Sequence, residues 1–68
     1  MNKFTTLLNE TIQKKGLTKS QVAESFGWTP MYFGRYCNGQ LFPTKANIDK
    51  FATFLGISKE KLESILND

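Results

Sequence analysis

An all-α domain of five short helices is the fold the sequence predicts, on three observations. Apolar residues recur at intervals of three and four along the chain, the period of one helix face. No stretch alternates apolar and polar residues as a half-buried strand does. The triplets Gly16-Leu17-Thr18, Gly27-Trp28-Thr29 and Gly56-Ile57-Ser58 each read as one helix ending and another beginning. Glycine accepts the left-handed conformation that closes a helix. The hydroxyl residue then offers an oxygen to free amides of the next helix.

The first helix is expected at about 3–15, with Phe4, Leu7, Leu8 and Ile12 on one face. The second, about 19–26, carries Val22, Ala23 and Phe26, and Thr18-Lys19-Ser20-Gln21 reads as its capping box. The third, about 30–38, opens with Pro30, whose missing N–H costs nothing at a first helical position, and buries Phe33 and Tyr36. After the loop Asn38–Thr44, a fourth helix at about 45–55 presents Ile48, Phe51, Ala52 and Leu55. A fifth at about 59–66 presents Leu62, Ile65 and Leu66. The apolar residue inside each triplet suits a hydrophobic staple, pairing Leu17 with Val22, Trp28 with Phe33 and Ile57 with Leu62.

Length and composition bound the function. Sixty-eight residues make one domain, 1–68, with no linker or repeat. One cysteine and no histidine leave no internal disulfide, no zinc cage and no imidazole base. No apolar run approaches the ~18 residues of a membrane span, and the N-terminus is too polar for a signal peptide. A soluble cytoplasmic protein without a cofactor is expected. With no nucleophile–base pair and no metal cluster, it is not expected to be an enzyme.

The net charge of +3 is unevenly placed. Residues 14–45 hold Lys14, Lys15, Lys19, Arg35 and Lys45 against Glu24, net +4. Residues 46–68 set Lys50, Lys59 and Lys61 against Asp49, Glu60, Glu63 and Asp68, net −1, and residues 1–13 balance. The excess surrounds the second and third helices, which a very short turn through Gly27 forces to cross at a large angle. This is helix-turn-helix spacing, over about 19–38. Counting Lys19 as one, the small Ala23 falls at five, the turn Gly27 at nine and Phe33 at fifteen, inside the pair. On the pair alone, an ordinary helical hairpin is the competing reading.

The wider pattern resembles the Cro and lambda-type repressor family of helix-turn-helix proteins, also called the xenobiotic-response-element type. The resemblance runs from about Phe4 to Leu66 and rests on Lys15-Gly16-Leu17-Thr18, Val22-Ala23-Glu24, Phe26-Gly27-Trp28-Thr29, Arg35, Asn38-Gly39, Pro43-Thr44, Phe51-Ala52, Leu55-Gly56-Ile57-Ser58 and Leu62. It implies a compact five-helix, lambda-repressor-like fold and a sequence-specific regulator of transcription, a small phage or mobile-element repressor. Such a protein binds a near-palindromic site on double-stranded DNA as a homodimer, with no membrane partner.

Site residues carried over from that resemblance fall into three groups. Pro30, Met31, Tyr32, Gly34 and Arg35 would meet base edges. Lys19, Thr29, Asn38, Gln40 and Lys45 would meet the DNA backbone. Ile57, Ile65 and Leu66 would form the dimer interface. The sequence departs from the family where it reads bases, because Pro30 and Met31 replace polar residues and offer only apolar contacts, for example to a thymine methyl. Arg35 is a candidate for bidentate pairing with guanine, against a phosphate contact or an ion pair with Glu24. Tyr32 either bonds a base or packs its ring on Met31.

Cys37 reads as a half-buried inert thiol rather than a redox switch, with only Arg35 near enough to lower its pKa. Leu41 and Phe42 either fold onto the core or form part of a partner surface. The apolar recognition face keeps a second function class open: a helix-turn-helix module that binds a host protein to inhibit or recruit it.

Overall fold

In the computed structural model, which describes residues 2–67, the chain forms α1 (Lys3–Lys14), α2 (Lys19–Phe26), α3 (Pro30–Cys37), α4 (Ile48–Leu55) and α5 (Lys59–Leu66). Met1 and Asp68, the latter counted above in the slightly acidic C-terminal third, lie outside the described residues. The punctuation acts as its chemistry requires. Thr18 and Gln21 form a reciprocal capping box, with Thr18 N–H donating to Gln21 Oε1 at 2.8 Å and Gln21 N–H to Thr18 Oγ1 at 3.1 Å. Thr29 and Ser58 accept from the amides of Tyr32 and Lys61 at 3.2 and 3.0 Å. Gly27 and Gly56 close α2 and α4 at φ +78° and +72°, where a Cβ would be strained.

The fourth helix starts at Ile48 rather than near residue 45. Residues 45–47 form a turn in which the amides of Asn47 and Ile48 both donate to the Thr44 carbonyl at 2.9 Å. Asn47 precedes the helix without capping it, since its side chain makes no hydrogen bond to the first turn.

One core joins all five helices. Phe4, Leu8 and Ile12 from α1 meet Val22, Ala23 and Phe26 from α2, Phe33, Tyr36 and Cys37 from α3, Ile48, Phe51 and Ala52 from α4, and Leu62 from α5. Phe51 is its aromatic hub, with the rings of Phe4, Phe26, Trp28, Tyr36 and Phe33 at 5.4, 5.2, 5.8, 4.9 and 6.4 Å. Each such pair adds about 0.5–1.5 kcal/mol beyond area burial and prefers defined angles, so the hub fixes α2 and α3 against α4.

The staple expected between Trp28 and Phe33 takes another form. Trp28 stacks on Tyr36 (5.3 Å, 15°) and meets Tyr32 edge-on (4.9 Å), while the Phe33 ring packs on Phe26 and Phe51. Cys37 is fully buried rather than half-buried. Leu41 packs on the core, whereas Phe42 stays 42% exposed, its ring edge-on to Phe4 with the ring centres 6.2 Å apart.

Candidate nucleic-acid interface

The base-reading candidates all lie on α3, whose opposite side is anchored by Phe33, Tyr36 and Cys37. Met31, Gly34 and Arg35 are three and four residues apart and so share one helix face. Met31 is 78% exposed, and Pro30 and Arg35 are also exposed. Among the described residues Arg35 forms no ion pair with Glu24.

Tyr32 is held by the body of the domain and not by Met31. Its ring lies edge-on to Trp28 and Tyr36, and its hydroxyl is 2.9 Å from the buried Tyr36 hydroxyl. Burial and this neighbour push the Tyr36 phenol up to about 12, with the Asn47 hydrogen bond acting the other way. The Tyr32–Tyr36 hydroxyl pair links successive turns of α3.

Backbone candidates cluster at the helix ends. Lys19 is exposed at the first position of α2, where its own amide and that of Ser20 lack intrahelical acceptors. Its charge also reaches α3. Burial pushes the Cys37 thiol up and Lys19 draws it down, so Lys19, and not Arg35, is the cation near this thiol.

Asn38 Oδ1 accepts from Gln40 N–H at 3.2 Å, which leaves its side-chain amide hydrogens to donate outward. The Gln40 amide also donates to the Arg35 carbonyl at 2.9 Å, and the Gln40 and Lys45 side chains are exposed. Thr29 Oγ1 accepts the Tyr32 amide, which leaves its hydroxyl hydrogen to donate outward. Pro30 contributes no N–H, so α3 offers an anion fewer amides than α2 does.

Two residues outside the pair hold it in place, and sequence reasoning missed both. Lys50 of α4 donates from Nζ to the Phe26 carbonyl at the end of α2 (2.9 Å) and lies 5.2 Å from the centre of the Trp28 ring. It places a cation at a helix C-terminus that has no basic residue of its own. Asn9 of α1 donates to the Cys37 carbonyl at the end of α3 (2.8 Å) and to Thr5 O (3.0 Å). Neither role has a local sequence signal, because each partner lies 24 or more residues away.

A groove of about 490 Å³ lies between the end of α2 and α4, lined by Phe26, Lys50, Thr53 and Phe54 among others, and none of the candidate site residues lines it. Of the dimer candidates, Ile57, Ile65 and Leu66 are half-buried, and the last two line a groove of about 350 Å³ with Asn2, Phe42 and Pro43. Among the described residues, no helix is long and apolar enough to cross a membrane.

Comparison with known families gives a match over residues 5–65 to the family described as "Helix-turn-helix domain". No curated protein and no solved structure matches the chain. The matched span takes in the whole of α2, α3 and α4 with the caps and turns between them, and nearly all of α1 and α5. The chain belongs to the helix-turn-helix domain family, of the Cro/C1 or xenobiotic-response-element type, a DNA-binding family whose members are typically not enzymes.

Proposed function

We infer that the protein is a sequence-specific regulator of transcription, a small phage or mobile-element repressor that binds a near-palindromic operator as a homodimer. The observation that carries this reading is the exposed face of α3 carrying an unpaired Arg35, flanked by Lys19, Thr29 and Asn38 at helix ends whose donors face outward. Arg35 pairs with a guanine; Pro30, Met31, Tyr32 and Gly34 meet neighbouring base edges. Lys19, Thr29, Asn38, Gln40 and Lys45 hold phosphates. The 1–68 chain acts as one domain.

Size supports two copies. The longest extent of the domain is 27 Å, shorter than the ~34 Å between successive major grooves on one side of the duplex. The protomers meet through Ile57, Ile65 and Leu66, next to the partly exposed Phe42. Selection from random duplexes by gel shift tests the reading. A two-fold-related motif with half-sites about one helical turn apart is expected; no enrichment at low salt would refute it.

A second reading draws on the 78% exposure of Met31, an apolar side chain on the reading face. There the module binds a host protein in place of DNA. A stoichiometric partner that survives nuclease treatment and is lost on Met31→Glu would favour it.

A further inference from the structure

Gly34 has no structural reason to be glycine. The other four glycines, Gly16, Gly27, Gly39 and Gly56, all have positive φ, which explains them. Gly34 lies inside α3 with helical backbone, and beyond its chain neighbours and its own helix backbone a Cβ added there would meet no atom within 4 Å. Alanine would fit and would favour the helix by about 0.5–1 kcal/mol. The space is therefore left open at the expense of the fold, on the face presented to DNA.

Its neighbours on that face narrow what fills the space. Met31, one turn earlier, is exposed, apolar and without a strong donor or acceptor. The Tyr32 hydroxyl is held against Tyr36. Arg35 is thus the one charged donor on α3, and a single guanidinium leaves most base pairs unread by hydrogen bonds.

We propose that Met31 and Gly34 form a seat for the C5-methyl group of a pyrimidine, so that α3 recognises thymine by its methyl beside the guanine held by Arg35. The notch at Gly34 lets the methyl approach the backbone and the Met31 side chain closes over it. This rests on the DNA-reading function proposed above. Thymine and 5-methylcytosine present the same group in the major groove, and either can fill the seat.

The test uses the operator obtained by selection, so failure to select any motif would strike the DNA-reading function itself. Each thymine is then replaced singly by deoxyuridine, which removes only the methyl. One position per half-site should lose affinity about fourfold, the value of one buried methylene-sized group, and about fifteenfold when both half-sites are changed. At that position 5-methylcytosine should bind better than cytosine by a similar factor. Gly34→Ala and Met31→Ala should bring the thymine-to-uracil ratio below about twofold, while Gly34→Ala melts no lower than the wild type. Equal binding of thymine and uracil at every position of a selected operator would overturn the proposal. So would an unchanged ratio in both variants.

Discussion

Lys50 gives the sharpest test of how the helix-turn-helix pair is held. Lys50→Met keeps the aliphatic stem and removes the ammonium, and with it the 2.9 Å bond to the Phe26 carbonyl and the contact with the Trp28 ring. A hydrogen bond from a charged donor contributes about 1.5–3 kcal/mol when buried. Lys50 is largely exposed, so water can replace part of that bond and the low end applies. The cation–π contact adds about 0.5–1 kcal/mol at such a site. A net loss of about 2–2.5 kcal/mol follows, and at about 4–8 °C per kcal/mol for a domain of this size the Tm should fall by about 8–20 °C. Thermal melts followed by circular dichroism, with urea titrations for the free energy, measure it. Crossing Lys50→Met with Trp28→Leu should give less than the sum of the single losses, because the two residues share a contact. If Lys50→Met melted within about 1 °C of the wild type yet bound DNA with a weaker salt dependence, Lys50 would be a phosphate contact and the capping role would be wrong.

Three further outcomes follow from the same geometry. Asn9→Ala strips the Cys37 carbonyl of its partner and should cost about 1–2 kcal/mol in urea denaturation; Asn9→Asp should do no better, since a carboxylate cannot donate to two carbonyls. Tyr36 holds its proton to about pH 12 when folded and releases it from about pH 10 when unfolded, so stability should fall across that window as pH rises, and Tyr36→Phe should flatten this part of the profile. Lys19→Ala should weaken all duplexes alike and lower the slope of log affinity against log salt by about 1, as loss of one phosphate contact requires.

Most of the architecture was legible because it is encoded locally. The three Gly-apolar-hydroxyl triplets specify helix ends through backbone chirality and side-chain capping, which need only neighbours in sequence. The spacing of Ala23, Gly27 and Phe33 likewise exposed the pairing of α2 with α3. What escaped depends on groups that approach across the fold. The late start of α4 reflects the turn at 45–47, where the amides of Asn47 and Ile48 share the Thr44 carbonyl. Trp28 leaves Phe33 for Tyr32 and Tyr36 because Phe51 and Phe26 already occupy the Phe33 ring. The caps from Asn9 and Lys50, and the nearness of Lys19 to Cys37, have the same tertiary origin. At the site, the sequence named the residues of α3, but only the structure separated the glycine with open space from those fixed by positive φ.

The central claim is that α3 reads bases through Arg35 while the flanking helix ends hold the backbone. Repeating the duplex selection with Arg35→Ala measures this most directly. The predicted result is a motif that keeps every preference except one guanine per half-site, where discrimination falls by about 1–3 kcal/mol. An Arg35→Ala protein that selected the same motif with undiminished preference at every position would contradict it.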